Sequence, residues 1–444
     1  MNTLRKSLWL ALLAAATTLV PILATAQGEL TWAEDVMPIF QEKCQECHRP
    51  DSIAPMSLLT YEQVRPFAPV IKYRVENRVM PPWHLNPQVG IQEFVDDRGL
   101  TQEQRQTIID WVDQGAPQGD LSKAPEQREF NDALVWRLES QMGSPPDLTL
   151  KSEPYDLAAV TQDKWFRPAV ETGLTEEKWV KAIEIRPVDD QSRRVVHHAL
   201  AFLLQNDTER KGLPTDVDVP FGPSLFMEWA VGKAGQIFRP DSGKLMLPGS
   251  RIMWEVHLHA MGERVPNAQV EIGVWYHDEQ PEHRTILSML DAQGPHSLDI
   301  PPNEIAVTQG TFVVTAPARI ENFQPHMHMR GKAMSMEAIY PDGNREVLAF
   351  VDNFQWNWQI NYVFDGDAAP LVPAGTMLVT RAWHDNTAGN PNNPDPNQWV
   401  GWGDRTVDEM SHNWVDITYL GQEDFERMLA DRNARAVQQR SGSD

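Results

Sequence analysis

Two kinds of hydrophobic spacing divide the chain. The string WAEDVMPIFQEKC from Trp32 and the string TQEQRQTIIDWVDQGAP from Thr101 place apolar residues three and four positions apart, which predicts helices. Residues 122–147 are crowded with Pro, Ser, Gly and charged side chains, and helical periodicity ends there. Beyond them come short alternating segments broken by Gly, Pro, Asn and Asp: 193–204, 250–260, 268–277, 310–317, 332–343, 345–351 and 375–384. Such segments predict strands, with the PDG sequence at 341–343 as a hairpin turn. Roughly 300 residues of strand signal exceed one comfortable sandwich, and the loop at 292–303 offers a division into two. The stretch from Gln422 is charged and helical, ending in a frayed QQRSGSD tail. The expected organisation is therefore 1–26, 27–121, a linker at 122–147, 148–300, 301–421 and a C-terminal helix with tail at 422–444.

Composition narrows the function. A chain of 444 residues with 23% charged residues is neither wholly disordered nor a multi-span membrane protein. Its net charge of -23 would repel phosphate backbones and anionic headgroups, so nucleic acid is not an expected partner. Residues 1–26 read as an export signal, with Arg5 and Lys6 before an apolar stretch at 8–23 and Ala24, Thr25 and Ala26 as the cleavage box. Pro21 and the interleaved Thr17 and Thr18 disfavour a permanent anchor. The expected mature protein begins at Gln27, works in the periplasm and has no membrane span.

The only cysteines, Cys44 and Cys47, are followed at once by His48 in the string CQECH, a c-type haem attachment motif. Two thiols on one helical turn can form thioethers to the porphyrin vinyl groups while the adjacent imidazole takes an axial iron position. Met80, in RVMPPW, is the leading sixth ligand because a thioether before a Pro-Pro turn is a rigid soft donor; Met56 and His84 are alternatives. With CxxCH, APMSLLTYE, MPPW and WVDQGAP in order, residues 32–120 resemble small cytochrome c domains of exported bacterial proteins. That resemblance implies an all-helical fold with Met80 distal.

The 13 histidines carry the rest of the chemistry. Six of them fall in pairs, His197 with His198, His257 with His259, and His326 with His328. In a strand, positions i and i+2 face one side, so HxH can offer two imidazoles to one ion. The adjacent pair should point to opposite faces, so shared ligation there requires a bulge or a strand end. Imidazole-rich sites without thiolate suit copper, zinc, iron or nickel, and a thioether partner would favour reduced copper.

The strings VVHHALAF, WEVHLHAMG, PHMHMRGKAMSM and WGDRTVDEMSHNWVDITY, in that order, resemble the copper type II, ascorbate-dependent monooxygenases, the family of dopamine beta-hydroxylase and peptidylglycine alpha-hydroxylating monooxygenase. The resemblance implies that His197, His198 and His257 hold a first copper for electron transfer. It implies that His326, His328 and Met410 hold a second, catalytic copper where dioxygen and substrate meet; His259, on the same predicted strand face as His257, is either a competing ligand or a nearby polar group. Two positions depart from the family: Gln324 stands where the peptidylglycine enzyme has a carboxylate-binding arginine, and Trp414 replaces a tyrosine. The combined expectation is an all-α cytochrome c domain followed by two all-β antiparallel, jelly-roll-like sandwiches. The expected activity is hydroxylation of a C–H bond of a small organic substrate by dioxygen. Electrons would reach one covalent haem and two coppers from a periplasmic redox protein or an ascorbate-like reductant. The rival expectations are a non-catalytic haem and copper electron carrier and a ligand-binding sandwich module whose histidines serve structure.

Overall fold

The structure, a computed structural model, describes residues 28–441 except 51, 53, 131–134, 216, 218–223, 231–234 and 293–296. The expected export signal at 1–26 and the end of the tail lie outside the described residues. No described helix is long and apolar enough to cross a membrane.

Residues 28–76 and 101–123 form short helices around a small core. Thr31 caps a turn at Trp32–Val36 that runs into the helix Met37–Lys43, whose Pro38 falls in the first turn, where a missing N–H costs nothing. Thr101 and Gln104 form a reciprocal capping box at the start of Gln102–Asp113. Trp32 packs edge-on against Phe40 at 5.2 Å, and both meet Trp111, Ile108 and Val64 in a buried cluster. The Trp111 indole donates to the Pro117 carbonyl at 2.9 Å, which folds the chain after this helix back onto the core.

The strands build two halves of a larger body. In the first, a five-stranded sheet containing Val196–Leu204, Arg251–Leu258 and Lys164–Phe166 packs against the strands Lys178–Pro187 and Val270–Tyr276, burying Trp254, Ile183 and Ile272. In the second, a four-stranded sheet of Ile305–Val313, Met377–Asp385, Gly331–Ile339 and Arg345–Val351 packs against His283–Asp291 and His412–Tyr419. Strands cover or overlap each of the seven alternating segments, whereas Lys178–Pro187, Ser242–Met246, His283–Asp291 and His412–Tyr419 fall outside them.

One continuous sheet runs through both halves. The strand Ser242–Met246 pairs antiparallel with Lys178–Pro187 on one side and parallel with His283–Asp291 on the other. Buried ion pairs reinforce this seam: Lys244 Nζ lies 3.0 Å from Asp416, and Arg319 reaches both Asp241 and Glu321 at 2.8 and 2.7 Å. Charges buried this way hold only in one geometry, since losing a partner leaves the other uncompensated. The two halves are thereby fixed in register.

This architecture corrects the expected fold class. Among the described residues the molecule is mostly β, its helices are few and mostly short, and no all-α cytochrome c domain is evident. The segment after the helix Ala68–Glu76 explains why. Leu85 bridges to Val351 and Phe94 to Phe364, and both side chains are buried in the core of the second half. Arg78 is paired with Asp352, and Tyr362 Oη accepts the His84 N–H at 3.2 Å. Hydrophobic positions that read as the interior of a separate helical unit are spent on the β body. The expectation of purely antiparallel sandwiches also fails at the parallel seam between Ser242–Met246 and His283–Asp291. Within the expected linker, Trp136 and Leu138 bury against Ala182 and Trp275.

Candidate metal centre

His197 and His198 open the strand Val196–Leu204, immediately after the short helix Asp190–Val195. Opposite them, His257 pairs with His198 and Leu258 with Val196, so the register slips and His197 is the extra residue. This is the bulge that an adjacent histidine pair requires if both rings are to face one point. The two Nδ1 atoms come within 3.3 Å, and one ligand atom from each of His197, His198 and His257 lies within 4.8 Å of the others.

The third imidazole is braced on its far side. His257 Nε2 lies 2.9 Å from Asp163 Oδ2, and the Trp165 ring stacks on it at 4.4 Å with an interplanar angle of 10°. Its Nδ1 is buried and has no hydrogen-bond partner. An orphaned buried nitrogen is costly unless something else meets it, and a cation held jointly with His197 and His198 would do so. Burial lowers the basicity of all three rings, that of His198 well below the ordinary histidine value. Neutral imidazole is the metal-binding form. His259 lies past the strand end and is exposed, its Nδ1 2.7 Å from Asp163 Oδ1; it is not in the cluster.

His326 ends the strand Asn322–His326, and His328 follows two residues later with ring centroids 5.4 Å apart. His326 Nδ1 donates to Gln359 Oε1 at 2.9 Å and His328 Nδ1 to the Asp408 carbonyl at 3.1 Å. Because both acceptors are oxygens, each Nδ1 carries the proton and each Nε2 keeps its lone pair. Burial pushes both rings down to about 4. Met410 stands just before the strand His412–Tyr419, which pairs His412 opposite His326.

Glu409 ties these pieces together. Fully buried, it accepts the backbone N–H groups of His328 and Arg330 at 2.9 and 2.6 Å, and burial raises its carboxyl to about 7. His384, equally buried, donates from Nε2 to the Met410 carbonyl at 3.0 Å. Both imidazole clusters and Met410 line one cavity of about 230 Å³. Trp165, Phe202, Trp356 and Trp414 supply apolar wall, and Glu228, Glu255 and Asp404 supply carboxylates. Gln324 is buried on the Glu228 carboxylate, to which its amide donates. Trp383 is not among the lining residues and packs against Phe350 at 5.8 Å.

The CxxCH residues are assembled on their own turn. Backbone bonds from Cys47 and His48 to the Cys44 carbonyl at 3.2 and 3.0 Å bring the three together, and His48 Nδ1 lies 3.2 Å from the Met56 carbonyl. That bond places the ring proton on Nδ1 and leaves the Nε2 lone pair free, the atom a haem iron would use. Burial, with Cys47 beside it, pushes the Cys44 thiol up to about 12, which does not suit a redox dithiol needing a thiolate. The residues therefore fit a covalent haem better than disulfide exchange. Of the three sixth-ligand candidates, Met56 packs with Cys44 against the N-terminal core. Met80 is half-buried in the loop before Trp83, outside that cluster. His84 is buried in the β body with its Nε2 unpartnered.

Sequence reasoning missed Asp163, Gln359, Glu409, His384 and His412. Of these, His412 and Glu409 stood in the string that carries Met410. Asp163 had no local signal, because only the pairing of Trp165 with His257 brings it near.

No family model and no curated protein matches the chain. Among solved structures, N-glycanase F (PNGase F) aligns over 62% of this chain and 96% of its own at 8% identity, with a TM-score of 0.26. The Cowpea mosaic virus top component aligns over 62% and 89% at 8% identity and 0.25. The infectious bursal disease virus VP2 subviral particle aligns over 64% and 77% at 12% identity and 0.18. At these TM-scores the likenesses carry no argument.

Proposed function

We propose that the chain is an exported, copper-dependent monooxygenase that hydroxylates a C–H bond of a small organic substrate, with a covalent haem at Cys44, Cys47 and His48 for electron entry. The balanced reaction is RH with dioxygen, two electrons and two protons giving ROH and water. The observation that carries the reading is that two imidazole clusters from different sheets face one cavity, one of them with a buried, unpartnered Nδ1. In the first cluster His197, His198 and His257 would hold a copper, and in the second His326, His328 and Met410 would hold another. Copper, when bound, supplies one-electron redox chemistry and reactivity toward dioxygen.

The chain's own residues have defined tasks in this reading. Gln359 and the Asp408 carbonyl fix the tautomers that leave Nε2 of His326 and His328 free. Met410 offers a neutral thioether, which favours the reduced ion over the oxidised one. The four aromatic walls exclude water and hold an apolar substrate. Among the described lining residues there are three carboxylates and no Lys or Arg, so apart from bound metal the lining itself offers an anionic substrate no counter-charge. An open cavity beside Met410 favours the enzyme over a closed electron carrier.

The test is oxygen uptake by reduced, copper-loaded protein against a library of small molecules, with product mass detection. Substrate-dependent uptake with a product heavier by one oxygen atom is expected. Electron exchange without product, for every compound tried, would return the protein to the electron carriers.

A further inference from the structure

Asp163 has no place in the chemistry above, yet it touches the first cluster from behind. It sits immediately before Lys164–Phe166, the strand whose Trp165 lies directly opposite His257 in the sheet. That register puts two things on one imidazole at once. The indole covers its face at 4.4 Å and nearly parallel, and the carboxylate meets its Nε2 edge at 2.9 Å.

The carboxylate is not itself placed to ligate. One oxygen is engaged by His257 and the other, at 2.7 Å, by the exposed His259. Both carboxylate oxygens therefore face imidazole nitrogens and accept from them. A carboxylate oxygen 2.9 Å from Nε2 places the ring proton there and leaves the lone pair on Nδ1, the atom that is buried and unpartnered. Carboxylates behind ligating histidines commonly act in this way, fixing tautomer and ring orientation and raising ligand basicity.

We infer that Asp163 is a positioning residue for the first metal cluster: together with the stacked Trp165 it holds His257 in the Nε2–H tautomer, with Nδ1 aimed at the point shared with His197 and His198. His259 supports the outer oxygen of Asp163 and is not a competing ligand. The inference rests on the proposal that this cluster binds metal.

The experiment uses the full mature chain and copper alone. Copper affinity is measured for each site by chelator competition, and the oxidised first site is read by the nitrogen splitting in its electron paramagnetic resonance spectrum. Asp163→Ala should weaken first-site copper by roughly 10- to 100-fold and change that splitting, with the second site unmoved. Asp163→Glu, which keeps a carboxylate, should recover most of the affinity, and His259→Ala should keep both affinity and spectrum. Thermal unfolding of the metal-free variants checks the fold, and if Asp163→Ala does not fold, Asp163→Asn replaces it. Unchanged affinity and spectrum in a folded Asp163 variant would overturn the positioning role alone. An equal loss in His259→Ala would overturn the assignment of His259. Wild-type protein with no copper at His197, His198 and His257 would overturn the metal reading beneath both.

Discussion

The two histidine clusters are built by opposite means. The first is held by the sheet itself: a bulge aims His197 and His198, a paired strand stacks Trp165 on His257, and Asp163 holds the far edge. The second is held at strand ends and loops, with His328 beyond its strand and Met410 before the next, both tied by the buried Glu409 and His384. A rigid set of three imidazoles suits an ion that only changes charge, because little reorganisation is needed. A looser set with a thioether, opening on an aromatic cavity, suits an ion that must also admit a gas and a substrate. The difference in support therefore matches the division of labour proposed for the two metals.

The sharpest way to break this comparison is at Met410. Met410→Ala should keep first-cluster copper and most thermal stability. It should lose substrate-dependent oxygen consumption by more than about 100-fold, beyond what removal of an outer partner costs. Near wild-type turnover would make Met410 a packing residue and move the reactive ion elsewhere. His198→Ala should take copper from two ions per chain to one by metal analysis, while the Met410 site stays filled. Loss of both ions in that single variant would show that the clusters are not independent.

Acid acts on the buried rings of both clusters, since burial lowers the basicity of each. Without metal, His326, His328 and His384 titrate at about 4 and His412 at about 3, because burial disfavours their charged forms. Below about 6.5 the unfolded chain binds protons at these rings before the folded one does. Stability from this source is thus fully present above about pH 6.5 and is lost as pH falls through the range down to about 4. Urea midpoints of metal-free protein should fall steadily from pH 7 to pH 4.5, and a flat profile would contradict the buried, neutral assignment. The smallest effect is expected at Glu409. Glu409→Ala leaves the N–H groups of His328 and Arg330 unmet and should cost about 1–3 kcal/mol in urea unfolding, weakening second-site copper only.

Much of this was legible in short strings and much was not. The strand segments and the helices around Trp32 and Trp111 follow from apolar periodicity, and the HH pair carried its own demand for a bulge, which the register slip at His257 supplies. The fold class was misread because Leu85 and Phe94, inside the stretch assigned to the cytochrome c domain, bury against Val351 and Phe364, more than 250 positions away. The parallel seam at Ser242–Met246 is likewise invisible to any local window. At the site, ligand types stand out because histidine and methionine are chemically conspicuous. The groups that orient them, Asp163 and Gln359 above all, are ordinary polar residues whose roles exist only once distant strands are paired.

The central claim is that two coppers sit in these two different ligand sets beside one cavity. X-ray absorption at the copper edge of the reduced, fully loaded protein tests it most directly. Two ions per chain are predicted, with an average shell of nitrogens plus one sulfur that disappears in Met410→Ala while the nitrogen shell of the first cluster remains. A nitrogen-only shell in the wild-type protein, or a single ion per chain, would contradict the account.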